Sequence, residues 1–200
     1  MDNIVRTDLI IPGSENKLCF ILDNVFTVAE CQEWIRISEE KGYEKELVGI
    51  KEILSEDTRK SDRCIIDSYE LAESIFQRVT IFLPESWHGF KKAGFNERLR
   101  FLRYTEGGYF APHLDGQYCR PDGSEKSFIT IQLCLNEDFT GGETTIFPGN
   151  TWELRQDTLR IPCAPKIGRI LIFQHDICHE VSVVHSGVKY SLRTDVMYRK

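Results

Sequence analysis

Residues 128–147 read FITIQLCLNEDFTGGETTIF: two short apolar runs rich in β-branched side chains, FITIQLCL and GETTIF, divided by Asn136 and the Gly141-Gly142 pair. No helix follows the two glycines, so they read as a turn and not as a phosphate cradle. Outward from this stretch the pattern repeats. LRFLRY (99–104) precedes it, and GRILIFQH, HEVSVV and KYSLRTDVMY follow, each bounded by Gly, Pro or Asn. Many short strands without helical periodicity between them predict a sandwich or jelly-roll barrel, because a parallel sheet needs crossover helices.

The N-terminal half predicts a mixed α+β segment laid on that barrel. KLCFILDN (17–24) is a strand. Thr27 and Glu30 form a capping box for a helix over 29–43 that turns Ala29, Cys31, Trp34, Ile35 and Ile37 toward a core. A second helix over 69–83 starts from Asp67 as N-cap and stops at Pro84, and the stretch 44–62 between the helices is charged and irregular. No composition shift marks a boundary, so residues 1–200 are expected to form one domain, with 1–98 packing on a barrel core over 99–198.

Composition narrows the function classes. A net charge of −6 disfavours nucleic acid and anionic membrane surfaces as partners, since both require clustered Lys and Arg. No apolar run is long enough to span a bilayer, the N-terminus lacks a signal-peptide pattern, and the seven cysteines include no CxxC pair. The expectation is therefore a cytoplasmic protein with free thiols.

His113 and Asp115 stand at i and i+2 within YTEGGYFAPHLDG (104–116), a spacing that puts both on one face of a strand. His179 opens a later strand and is the expected third ligand. Two histidines and a carboxylate on one face of a metal leave positions open, which is the arrangement of non-haem Fe(II) oxygen chemistry. Such a centre keeps about one unit of positive charge and suits an anionic chelating co-substrate. Ten positions after His179, Lys189 begins the last strand, where Lys189, Ser191, Arg193 and Asp195 share one face and Tyr190, Leu192, Thr194 and Val196 the other. An inward cation there is costly unless an anion meets it. His175 and His185 flank His179 but exceed what an open site needs, and His88 reads as a loop residue.

Taken together and in order, RYTEGGYFAPHLDG, TIQLCLNEDFTGGETTIFP, PKIGRILIFQH, CHEV and GVKYSLRTDVMY resemble the catalytic domain of prolyl 4-hydroxylase-like 2-oxoglutarate/Fe(II) dioxygenases over roughly 99–198. The resemblance implies a double-stranded β-helix, the cupin-like jelly-roll. It implies His113, Asp115 and His179 as iron ligands, and Lys189 as the cation for the far carboxylate of 2-oxoglutarate, with Arg193 as the second candidate. Tyr104 and Thr130 are then neighbours of that co-substrate. O2 is the other co-substrate and ascorbate (vitamin C) the reductant. Phe110 and Cys134 stand where prolyl 4-hydroxylases often carry tyrosine, and the short spacing to His179 is closer to oxygen-sensing and bacterial members.

The expected activity is hydroxylation of a C–H bond, foremost in a prolyl residue of a protein or peptide, with release of succinate and CO2. Hydroxylation of a free amino acid or other small metabolite is the alternative within that chemistry, and a non-catalytic metal-binding β-barrel the alternative outside it. For the substrate, the loops 44–63 and 116–126 offer Arg63, Tyr118 and Arg120 as directed donors. Oligomeric state is not legible.

Overall fold

The computed structural model describes residues 3–45, 58–149 and 154–200. Its elements are β1 (Val5–Asp8), β2 (Cys19–Asp23), α1 (Val28–Lys41), β3 (Glu44–Lys45), β4 (Arg59–Lys60), β5 (Asp62–Asp67), α2 (Tyr69–Val79), β6 (Ser86–Trp87), β7 (Phe90–Phe95), β8 (Arg98–Tyr104), β9 (Tyr109–His113), β10 (Glu125–Cys134), β11 (Thr140–Gly141), β12 (Thr144–Ile146), β13 (Ile161–Cys163), β14 (Ile170–Gln174), β15 (His179–Val181), β16 (Val184–Ser186) and β17 (Lys189–Arg199).

The large sheet runs β1-β2-β14-β10-β17-β8-β5-β3, with β7 also paired to β17 and β6 to β7; the small sheet runs β13-β12-β15-β9-β4. Together they make the double-stranded β-helix expected from the strand pattern, mainly β with supporting helices.

The central strands of the large sheet carry apolar residues on both faces because both are covered. Leu192, Val196, Ile129, Ile131, Leu99 and Phe101 point to the helix side, where Trp34 of α1 and Ala72 and Ile75 of α2 complete one core. Cys19, Ile21, Leu171 and Phe173 alternate to the inner side and meet Ile146 of the small sheet. Hence β14 carries a nearly unbroken apolar run, whereas β10 turns Thr130 and Gln132 to the cavity, and polar residues on an inner face stand out as candidates for a site.

The capping box holds: Thr27 Oγ1 accepts from Glu30 N, and Glu30 Oε2 accepts from Thr27 N at 2.8 Å. Helix α1 buries Cys31, Trp34 and Ser38. Ile35 and Ile37 pack at its edge, but Ala29 is exposed, since it lies about 200° around the helix from Cys31. The N-cap of α2 is Ser68, not Asp67, because β5 pairs through Asp67 with Arg98 of β8 and draws that residue into the sheet. The helix proper ends at Val79, before a 3-10 turn over Thr80–Phe82. Within 44–62 the described residues form β3, β4 and the start of β5; residues 46–57 lie outside the described set.

One turn shows how tightly the helical layer sits on the barrel. Gly168 has φ +76°, and a Cβ there would lie 2.1 Å from the Phe26 carbonyl oxygen. Gly168→Ala is therefore expected to destabilise the protein by about 1–3 kcal/mol from the left-handed backbone alone, and further through that clash. A lowered urea midpoint with an unchanged slope is the measurement; an unchanged midpoint contradicts the packing described here.

Candidate metal centre

His113 ends β9 and His179 begins β15, and the pairing of these strands sets the two residues directly opposite each other. Their rings lie 4.2 Å apart. Asp115 follows β9 and is held by its own N–H, which donates to the His175 carbonyl at 3.0 Å. One potential ligand atom from each of His113, Asp115 and His179 lies within 4.8 Å of the other two. The carboxylate oxygens are 3.9 Å from His113 Nε2 and 3.8 Å from His179 Nε2.

Backbone carbonyls select the tautomer. His113 Nδ1 lies 2.8 Å from the Ala111 carbonyl, and His179 Nδ1 lies 3.0 Å from that of Ile177. Each contact places the proton on Nδ1 and leaves the Nε2 lone pair for a metal. Burial holds both imidazoles neutral: the His113 pKa is pushed down to about 3, with His179 as second cause, and that of His179 is lowered as well. Phe110 stacks on His113 at 3.6 Å, and Phe173 meets His179 edge-on at 4.5 Å, so neither ring can swing freely.

Asp115 is kept ionised. Burial alone would raise its pKa, but Arg193, then the two histidines, then the Thr130 hydroxyl overcome that and lower it. Thr130 Oγ1 donates to Asp115 Oδ2 at 2.5 Å, and the Arg193 guanidinium lies 3.0 Å from Oδ1. Arg193 also lies 3.2 Å from Asp195, which faces His175 Nε2 at 3.4 Å and Arg100 at 3.6 Å. Arg193 therefore sits on the inner face of β17 as the alternation predicts, and it braces the putting-together of the ligand set through Asp115.

A cavity of about 570 Å³ opens over His113, Asp115 and His179, lined also by Arg59, Arg100, Tyr104, Phe110, Tyr118 and Gln132. The Arg59 guanidinium lies 4.2 Å over the Phe110 ring and donates to the Tyr104 hydroxyl at 3.3 Å, giving an Arg59–Phe110–His113 stack. Lys189 is 3% exposed, and its Nζ donates to the Gly142 carbonyl at 2.7 Å. It borders a second space of about 30 Å³ with Cys134, Thr144 and Gln132. Gln132 lines both spaces and accepts from Thr144 at 3.1 Å, so it stands between the metal cavity and Lys189.

Of the three expected substrate donors, Tyr118 alone lines the cavity. Arg120 clamps Glu97 at 2.7 and 3.0 Å and Glu125 at 2.7 Å, and Arg63 belongs to β5 opposite Glu44 and Leu102. Arg100 was missed, although period-two alternation along β8 puts it on one face with Leu102 and Tyr104. Arg59 carried no local signal, because its place depends on the pairing of β4 with β9. The donor set fits a ferrous ion: two imidazole nitrogens, one carboxylate, and open space on the far side.

Residues 99–194 match the family model of the 2OG-Fe(II) oxygenase superfamily. No curated protein sequence matches the chain. Solved structures do. A prolyl hydroxylase from Trichoplax adhaerens, in complex with a hypoxia inducible factor oxygen degradation domain peptide fragment, superposes with a TM-score of 0.66 at 14% identity, covering 89% of this chain and 82% of that one. The viral collagen prolyl hydroxylase of Paramecium Bursaria Chlorella virus-1, in its 2OG complex, gives 0.63 at 20% identity over 91% and 96%. A Pseudomonas putida prolyl-4-hydroxylase gives 0.61 at 18% identity over 98% and 92%. At such identities the likeness establishes the fold. Among the described residues no helix is long and apolar enough to cross a membrane.

Proposed function

We propose that the protein is a 2-oxoglutarate- and Fe(II)-dependent dioxygenase that hydroxylates a prolyl residue of a protein or peptide. The observation that carries this reading is the convergence of His113 Nε2, His179 Nε2 and the Asp115 carboxylate under an open cavity, with both histidine tautomers set by backbone carbonyls. When bound, Fe(II) supplies the redox chemistry by which one oxygen atom of O2 enters succinate, with loss of CO2, and the other enters the C–H bond. Ascorbate serves as the reductant that keeps the metal ferrous.

The chain supplies the rest. His113, Asp115 and His179 hold the metal without first releasing a proton, since all three already stand in their ligating forms. Lys189 takes the far carboxylate of 2-oxoglutarate. Its charge is buried and, among the described residues, in no ion pair, and burial lowers its pKa, so an anion arriving past Gln132 relieves an existing cost. Tyr104 and Thr130 border the path between Lys189 and the metal. Tyr118 at the cavity wall is placed to hold the substrate backbone, and Phe110 and Phe173 keep water from the histidines.

A second reading, a small carboxylate substrate such as a free amino acid, is favoured by Arg59 and Arg100, both of which line the cavity. Incubation with Fe(II), 2-oxoglutarate and labelled O2 separates the readings by mass spectrometry. One labelled atom in succinate and one in a prolyl side chain of a peptide is the expected result. A labelled free amino acid with unlabelled peptide moves the assignment to the small substrate, and metal binding without labelled succinate leaves a non-catalytic barrel.

A further inference from the structure

Arg193 sits where a metal site least tolerates a cation. Its guanidinium lies 3.0 Å from Asp115 Oδ1, on the one carboxylate among His113, Asp115 and His179, so it offsets the charge that draws a dication. The sheet register adds to the cost. Arg193 of β17 stands directly opposite Arg100 of β8, and like charges that face each other across a strand pair are destabilising.

Asp195 is placed to offset both arginines. It lies two residues beyond Arg193 on the same face of β17 and opposes Thr130 of β10. Its Oδ1 is 3.2 Å from Arg193 and its Oδ2 is 3.6 Å from Arg100, so one carboxylate lies within ion-pair distance of two guanidinium groups. The side chain is 2% exposed, and among the described residues its Oδ1 has no hydrogen-bond partner. Charge, and not a directed bond, therefore holds it. A buried carboxylate in that condition is costly unless cations stand against it, which Arg193 and Arg100 do.

The charges alternate along Arg100, Asp195, Arg193 and Asp115, and the row ends on Thr130, whose hydroxyl donates to Asp115 Oδ2 at 2.5 Å. His175 lies beside both ends of the arrangement. Its carbonyl accepts the Asp115 N–H at 3.0 Å, and its ring Nε2 is 3.4 Å from Asp195 Oδ1.

We propose that Asp195 is the positioning residue of the metal centre: it retains Arg193, so that Arg193 orients the Asp115 carboxylate without excluding a dication from it. The proposal rests on the reading of His113, Asp115 and His179 as metal ligands and deepens it by one residue that is not itself a ligand. With Asp195 ionised, Arg193 divides its charge between two carboxylates. A metal that takes Asp115 then leaves the guanidinium with an anion beside it. With Asp195 neutral, Arg193 holds Asp115 more strongly and the cavity wall gains one unit of positive charge, and both changes oppose a dication.

The test titrates Mn(II) into the full chain and into Asp195→Asn, Arg193→Ala and the double variant, each checked for an intact melt. Asp195→Asn keeps the shape and removes the charge, and it should weaken Mn(II) binding by about 10–100-fold, the usual loss when a group that supports a metal ligand is removed. In the Arg193→Ala background the same substitution should cost about threefold or less, because the cation that Asp195 retains is gone. Mn(II) affinity in Asp195→Asn equal to that of the wild-type chain overturns the proposal. So does a loss of the same size in both backgrounds, which is what simple structural support predicts. If Asp195→Asn alone does not fold, the double variant is compared with Arg193→Ala: equal affinity supports the proposal, and a further loss of about tenfold overturns it. Failure of the wild-type chain to bind Mn(II), or binding that His179→Ala leaves unchanged, removes the metal centre itself and the proposal with it.

Discussion

His179→Ala is expected to reduce 2-oxoglutarate-dependent succinate formation by at least about 100-fold, beyond the 10–100-fold that loss of a group supporting a metal ligand usually costs. The residue opens β15 opposite His113, and its Nδ1 contact with Ile177 fixes the ring so that Nε2 faces Asp115 at 3.8 Å. Among the described residues no neighbouring side chain is placed to replace it: Phe173 lies against its edge, and His175 faces Asp195. The loss should therefore appear first in metal affinity, measured by titration with Mn(II), and only through that in turnover. The fold should survive at a cost of about 2–4 kcal/mol for the emptied buried volume. Wild-type succinate formation by the variant removes His179 from the ligand set.

The same burial sets a pH dependence for the metal-free protein. In the folded chain the His113 pKa is pushed down to about 3, below the ordinary 6.5 of an unfolded histidine. Between those values the unfolded state binds the extra proton, so His113 favours unfolding increasingly as pH falls from 6.5 toward 3 and contributes no such penalty above 6.5. The melting temperature of the apo protein should drop across that window, and Mn(II) should restore part of it where the metal still outcompetes protons. His113→Phe, which keeps an aromatic ring and removes the titration, should flatten the drop; an undiminished slope in that variant assigns the effect elsewhere.

How much of this was legible in sequence follows from how local each feature is. The inner face of β17 was legible because alternation is a property of the strand itself: Lys189, Ser191, Arg193 and Asp195 do line the inner side, while Leu192 and Val196 join the helix-side core. The i, i+2 spacing placed His113 and Asp115 together, although the strand ends at His113 and Asp115 gets its position from the bond to His175. What was not legible depends on pairings between distant segments. Arg59 reaches Phe110 only because β4 pairs with β9, and Arg120, which looked like a substrate donor at a loop, is drawn into a clamp with Glu97 and Glu125. His88 read as a loop histidine, and it lies in the turn that joins β6 to β7. The shift of the α2 cap from Asp67 to Ser68 has the same origin, a strand pairing that no capping rule can see.

Lys189→Ala and Arg193→Ala should fail in different ways, and the difference decides which cation serves the co-substrate. Lys189 is buried, donates to the Gly142 carbonyl and, among the described residues, pairs with no carboxylate, so its charge is available to one that arrives. Removing it leaves the far carboxylate of 2-oxoglutarate desolvated without a partner, a cost of about 2–5 kcal/mol, and the apparent affinity for 2-oxoglutarate should fall by more than about tenfold. Metal affinity in the absence of 2-oxoglutarate should stay near that of the parent, because Lys189 touches none of the three ligands. Arg193 is already engaged by Asp115 at 3.0 Å and Asp195 at 3.2 Å. Its removal leaves Asp115 without the cation that offsets its burial, so the carboxylate is harder to keep ionised and metal binding should weaken by about 10–100-fold, with or without 2-oxoglutarate. Titrating Mn(II) and 2-oxoglutarate separately into each variant reads the two effects apart. If Arg193→Ala impairs 2-oxoglutarate binding strongly while Lys189→Ala leaves it unchanged, the carboxylate sits four residues further along β17, beside the metal cavity and not in the small space behind Gln132.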